Sequence, residues 1–129
     1  MLRTLLTAKI HRARVTGADV HYIGSISIDQ DLMEAAGILP HERVQVVDID
    51  NGARLETYAI AAPAGSGTVQ LNGAAARLVA AGDLVIIIAY GQFTDEEARR
   101  WQPKAVMVDG ENRVTEIRRG VEGGRWEPV

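Results

Sequence analysis

Two stretches of this chain repeat one design. Leu32-Met33-Glu34-Ala35-Ala36-Gly37 leads through a short link into the Val-rich Val44–Ile49, and Leu78-Val79-Ala80-Ala81-Gly82-Asp83 leads at once into Leu84–Ile88. Each unit is a helix former, an Ala-Ala-Gly stop and a strand, the glycine being free to take the left-handed conformation that ends a helix. Two such units in a short, β-rich chain point to a barrel built from two related halves. Ala-Ala-Gly is also a common way to end any helix, so this feature alone leaves both readings open.

The remaining pattern is mostly strand. Apolar residues alternate through Arg3–Arg14, which reads as a long, bent first strand, and further strands are expected at His21–Ile28, Val44–Ile49, Leu55–Ala61, Thr68–Leu71, Leu84–Tyr90, Lys104–Val108 and Val114–Ile117. Asn51-Gly52 predicts a type I′ hairpin and Gly110-Glu111-Asn112 a second, weaker one. Three short helices are expected. One is capped by Asp29 or Asp31 and stopped by Gly37, one runs over Ala74–Ala81, and one opens at the capping box Thr94-Asp95-Glu96-Glu97 and closes before Pro103. The reading is a single domain over residues 1–117, with an aperiodic, mobile tail over 118–129.

Composition removes several function classes. The 14 basic and 17 acidic residues give a net charge of −3, so nothing drives binding to a phosphate backbone and no nucleic-acid partner is expected. There is no cysteine, which excludes disulfides, thiolate catalysis and thiolate metal sites. His11, His21 and His41 stand ten and twenty residues apart without ligand spacing, so no metal site is expected. The longest apolar run, Leu84–Tyr90, is far short of the ~20 residues that span a bilayer. The basic amino terminus resembles a transit peptide in charge, but its apolar residues alternate as in a strand. A cytoplasmic protein without a membrane partner is expected.

No familiar motif carries chemistry by spacing alone. Gly65-Ser66-Gly67 has neither the third glycine of a dinucleotide fingerprint nor the lysine of a phosphate loop. No Gly-x-Ser-x-Gly elbow is present. A set of segments in register changes this picture. Lys9-Ile10-His11-Arg12-Ala13 is followed by Tyr22-Ile23-Gly24-Ser25-Ile26-Ser27-Ile28-Asp29, then Asn51-Gly52-Ala53-Arg54-Leu55-Glu56-Thr57-Tyr58, Leu71-Asn72-Gly73-Ala74-Ala75-Ala76-Arg77 and Gly82-Asp83-Leu84-Val85-Ile86-Ile87. In residue type, order and spacing, from Met1 to about Ile117, the chain resembles the pyruvoyl-dependent aspartate 1-decarboxylases.

That resemblance implies a mainly β fold, a six-stranded double-psi β-barrel with short helices, assembled as a homotetramer. It implies a precursor that cuts itself between Gly24 and Ser25, leaving a covalent pyruvoyl group derived from Ser25. L-Aspartate would then be decarboxylated to β-alanine for pantothenate synthesis. Some relatives mature unaided and others need an accessory maturation protein, and both remain open. By the same resemblance, Ser25 and Tyr58 are catalytic, Tyr58 returning the proton, and Thr57 contacts substrate. Lys9 and Arg54 bind the substrate carboxylates, and Asn72, Gly73, Ala74 and Ala75 present backbone N–H groups at a helix start. His11 and Tyr22 match positions near the site without an assigned role.

The residues add expectations of their own. Attack by the Ser25 hydroxyl on a resonance-stabilised amide calls for strain at Gly24-Ser25 and a donor to the oxyanion. Arg54 is the better carboxylate clamp, because its fork binds in two places. Strand alternation sends Thr57 and Tyr58 to opposite faces, so both serve one site only at a bend or a subunit boundary. Two rivals remain: a non-enzymatic barrel, a binding or adaptor domain with Gly24-Ser25 intact, and a pyruvoyl decarboxylase for another amino acid.

Overall fold

Alternation gives most segments one apolar face, and the chain buries those faces by curling a single ladder of strands. A computed structural model describes residues 1–129. Its elements are β1 (Leu2–Arg14), β2 (Gly17–Asp19), β3 (Ser25–Asp29), α1 (Gln30–Ala36), β4 (Arg43–Asp48), β5 (Arg54–Ala62), β6 (Val69–Asn72), a 3₁₀ turn (Gly73–Leu78), β7 (Leu84–Thr94), α2 (Asp95–Arg100), β8 (Lys104–Val108), β9 (Val114–Gly120), a second 3₁₀ turn (Glu122–Gly124) and β10 (Trp126–Pro128). The strands pair in the order β10-β9-β8-β1-β7-β4-β5-β3-β6-β2, without a pairing that joins the two ends. The architecture is mainly β with few short helices, consistent with the double-psi barrel. No helix is long and apolar enough to cross a membrane.

One core serves all of it. Ile10 of β1, Ile26 and Ile28 of β3, Val44 and Val46 of β4, Leu71 of β6 and Val85 and Ile87 of β7 are buried in a cluster of 21 residues. Each such side chain contributes about 1.5–3 kcal/mol by leaving water. β1 bends as its length requires: its register against β7 slips between Leu6 and Ala8 and again between Ile10 and Ala13, beside Arg12 at φ +62°. Asp29 caps α1 by accepting from Asp31 N, and Gly37 at φ +73° ends it. Thr94 and Glu97 form the reciprocal capping box of α2.

Several local expectations are corrected. Residues 20–24 are an exposed loop rather than the start of a strand, so β3 begins only at Ser25. The β4–β5 hairpin exists, but its turn runs from Asp48 to Ala53 and only Gly52 has positive φ, so it is not a two-residue type I′ turn. The alanine-rich segment forms a six-residue 3₁₀ turn instead of a helix over Ala74–Ala81, which weakens the echo between the two halves. Gly65-Ser66-Gly67 is more than a surface loop, since the buried Asp29 carboxylate accepts from Gly65 N and Gly67 N. Beyond Ile117, where the sequence carries no period, β9 continues to Gly120 and β10 pairs antiparallel with it.

Candidate active site

The boundary between solvent and core falls on one peptide bond. Tyr22, Ile23 and Gly24 are exposed, whereas Ser25 is 1% exposed and opens β3. β3 lies between β5, which it meets in parallel from Ile26↔Ala59, and β6, which it meets antiparallel from Ser25↔Asn72. Because Ile26 and Ile28 point into the core, the hydroxyls of Ser25 and Ser27 take the other face. There the Asn72 amide donates to both, at 2.9 Å to Ser25 Oγ and 3.0 Å to Ser27 Oγ. Gln70 Nε2 donates to Asn72 Oδ1 at 2.9 Å, which fixes the amide with its nitrogen toward the serines. Ser25 Oγ in turn donates to Ile23 O at 3.1 Å. Ser25 is thus a buried, oriented hydroxyl at the end of an accessible loop.

Glycine matters here at a position other than the one expected. Gly24 does not have positive φ, and a Cβ on it would meet nothing within 4 Å. Gly73 has φ +72°, and a Cβ there would lie 2.6 Å from Gly24 Cα and 2.9 Å from Gly24 N. The missing side chain at 73 is therefore what lets the Gly24-Ser25 segment seat against the start of the 3₁₀ turn. Asn72 precedes that turn without capping it, because its side chain is turned to Ser25 and Ser27. The first N–H groups of the turn, at Gly73, Ala74 and Ala75, have no acceptor within it.

The other candidate side chains share the outward face of the sheet but not one spot. On β5, Arg54, Glu56 and Tyr58 alternate with Leu55, Thr57 and the buried Ala59, so Arg54 and Tyr58 face outward and Thr57 takes the face of Ala59. Tyr58 stands one residue before Ala59 as Ser25 stands one before Ile26, which brings the two to neighbouring places on adjacent strands. Tyr58 is half-buried, its ring is 6.4 Å from that of His41, and its hydroxyl makes no hydrogen bond within the chain. Arg54 is exposed and donates to Gln45 Oε1 at 2.8 Å, the same atom that takes the Tyr90 hydroxyl at 2.9 Å. Lys9 is aligned across Ile88 and Gln45 with Glu56, three strand spacings from β5, or ~14 Å.

Lys9 has its own surroundings. Its ammonium lies 4.9 Å from the Trp126 ring centre, over a cavity of about 110 Å³ lined also by His11, Met107 and Arg118. His11 Nδ1 is buried there without a partner. Burial, followed by the charges of Lys9, Arg12 and Arg118, holds the His11 pKa below its ordinary value. A single chain therefore brings Gly24, Ser25, Asn72, Gly73 and Tyr58 together, sets Arg54 about four residues away along β5, and leaves Lys9 apart.

Sequence reasoning missed Gln70, Ser27 and Gln45. Each is a polar residue at an alternate strand position, and only the register reveals that Gln70 orients Asn72 and Gln45 holds Arg54.

A profile of the family described as aspartate decarboxylase matches residues 1–115. The aspartate 1-decarboxylase of Moorella thermoacetica is 59% identical over 125 residues, covering 97% of this chain and 98% of that protein. Aspartate 1-decarboxylase 2 of Gloeobacter violaceus is 62% identical over 122 residues, covering 95% and 98%. With nearly the whole length of both chains aligned at this identity, the chain belongs to the aspartate decarboxylase family.

Proposed function

We propose that the chain is made as a precursor that cuts itself between Gly24 and Ser25. As a cytoplasmic homotetramer it then removes the α-carboxylate of L-aspartate, giving β-alanine and CO₂ for pantothenate synthesis. The observation that carries this reading is the Ser25 hydroxyl, buried and held by Asn72 beside the exposed Gly24. In the cleavage, Ser25 Oγ leaves its bond to Ile23 O and adds to the Gly24 carbonyl, and the amide becomes an ester. Elimination across Cα and Cβ of residue 25 then frees the Gly24 carboxylate and leaves dehydroalanine. Water converts that to a pyruvoyl group with loss of ammonia. Gly73 gives the loop room to be drawn against this site.

Residue 25 fits such a group. It stands in the ladder opposite Asn72, and the Asn72 amide is a donor where a keto oxygen would need one. A pyruvoyl group there would supply a sink for the electron pair that CO₂ leaves behind. The surrounding residues hold and protonate the substrate. Arg54 takes a carboxylate in two bonds and Lys9 adds a point charge. Holding the departing α-carboxylate tightly would stabilise the ground state, so the stronger cation belongs on the retained side-chain carboxylate. The N–H groups of Gly73, Ala74 and Ala75 face the substrate and Tyr58 delivers the proton, while Thr57, on the opposite face of β5, reaches a substrate only across a subunit boundary. Lys9 is too distant within one chain. In the proposed homotetramer a neighbouring subunit would bring its Lys9 to the site. Maturation is either spontaneous or assisted by an accessory protein, and incubating the purified precursor alone separates the two.

The test is turnover by matured protein, with L-aspartate consumed and β-alanine and CO₂ measured, and L-glutamate as control. No product from fully cleaved protein would overturn the reading. Arg54→Ala should lower kcat/KM for L-aspartate by about 10- to 100-fold, since a carboxylate loses a charged partner. Arg54→Lys should rescue part of it. Normal turnover by cleaved Arg54→Ala would remove the clamp. Gly73→Ala should slow self-cleavage by about tenfold or more, because its methyl overlaps Gly24 in a left-handed backbone. Intact mass followed over time reads this directly, and an unchanged rate would show that the close seat of Gly24 is unnecessary.

A further inference from the structure

Three carboxylates meet away from the site just described. Asp48 ends β4, Asp50 lies in the turn that follows, and Asp83 stands just before β7. One oxygen of each lies within 4.8 Å of the others. Main-chain amides orient all three. Asp48 Oδ1 accepts from Asp50 N at 2.8 Å and Asn51 N at 3.1 Å, Asp50 Oδ2 from Leu84 N at 2.7 Å, and Asp83 Oδ2 from Ala80 N at 3.0 Å. The two turns are also tied together by Ile49 N to Leu84 O at 2.8 Å and Asn51 Nδ2 to Leu78 O at 2.8 Å.

What singles this cluster out from surface acids is Asp48 Oδ2. The residue is 1% exposed, and this oxygen is buried with no N–H or hydroxyl donor, only the Asp83 carboxylate beside it. Burial, followed by its hydrogen bond to Asp83, holds the Asp48 pKa above its ordinary value, so an ionised Oδ2 is costly there unless a positive partner sits among the three carboxylates. None of the chain's ion pairs includes Asp48, Asp50 or Asp83. Arg14, which reaches this turn, donates Nη1 to Gly82 O instead.

We propose that Asp48, Asp50 and Asp83 bind a hard divalent cation of the Ca²⁺ type. All the ligands are oxygens, which excludes a preference for soft metals. Ca²⁺–oxygen distances of ~2.3–2.6 Å tolerate ligand oxygens as far apart as this set, whereas Mg²⁺ at ~2.0–2.1 Å needs a tighter cage. Asp50 is exposed and Asp83 partly so, which leaves water room to complete the coordination. The cation would pin the β4–β5 turn to the turn before β7, just ahead of Arg54. Sequence reading weighed histidine and cysteine as ligands and passed over this set, because its members are brought together only by the pairing of β4 with β7.

The experiment uses the full chain freed of metal by chelation. Mn²⁺ is titrated at neutral pH and read by electron paramagnetic resonance, and Ca²⁺ is added both as competitor and in thermal unfolding. The expected result is one Mn²⁺ bound per chain, displaced by Ca²⁺, with a Tm that rises and saturates with Ca²⁺. Asp83→Asn and Asp50→Asn should each weaken Mn²⁺ at least tenfold. Asp48→Asn, an isosteric change whose amide can donate to Asp83, should keep the fold and lose the response of Tm to Ca²⁺. Free Mn²⁺ at millimolar concentration, or equal binding by Asp83→Asn, would overturn the site and mean that a shared proton joins the buried oxygen to its neighbour.

Discussion

Ser25→Ala should yield one chain of full length, where the native sequence yields two. The native protein should show a 1–24 fragment and a 25–129 fragment, the longer one lighter by one ammonia than a serine-ended chain and blocked at its amino terminus. Alanine removes the only atom able to form the ester, so the effect is the complete loss of a bond cleavage rather than a slower one. The fold has little reason to suffer. Ser25 Oγ makes one bond to Ile23 O and takes one from Asn72, whose amide keeps Ser27 Oγ as partner. A loss of about 1–2 kcal/mol in stability is expected. Intact mass and a melting curve on the same preparation separate the two effects. Cleavage persisting in Ser25→Ala would remove the hydroxyl from the mechanism, and a native chain that stays whole would favour the adaptor reading.

The sequence made the strands and both capped helices readable, because alternation, Asp29 before Gln30 and Thr94 before Glu97 are local signals. It misplaced what depends on pairing. The His21–Gly24 segment has strand-forming residues but no strand to pair with, so β3 starts four residues later than its composition suggests. Gly17–Asp19 is strand only because β6 lies beside it. The alanines after Gly73 favour a helix, yet Gly73 is held in the left-handed region against Gly24 and the turn tightens to 3₁₀. At the site, Ser25 and Asn72 were legible through the segments in which they stand. The expected strain was assigned to Gly24 because glycine was read for its own freedom. The contact that requires a glycine is made by Gly73, 49 positions later, and no local signal carries that. Lys9 and Arg54 were read as one pocket, and the ladder separates them by β7 and β4.

Tyr58→Phe should separate the chemical step from everything before it. The phenol makes no hydrogen bond within the chain, so its loss leaves no buried group unsatisfied, and the ring keeps its place beside His41. Stability should change by less than about 0.5 kcal/mol. In the proposed cleavage only the Ser25 hydroxyl attacks, so Tyr58→Phe should still give both fragments. Borohydride added with L-aspartate should still fix substrate to residue 25, since that attachment does not require the phenol. Turnover should nevertheless fall by about 10²–10⁴-fold, the usual contribution of a positioned general acid. The role proposed for Tyr58 rests on its outward placement, one strand from Ser25. Release of CO₂ should fall less than release of β-alanine wherever solvent can protonate the carbon in its place. Cleavage, trapping and both products are measured on one preparation. Native turnover by fully cleaved Tyr58→Phe would take the phenol out of the reaction and give its role to solvent or to another side chain on the same face.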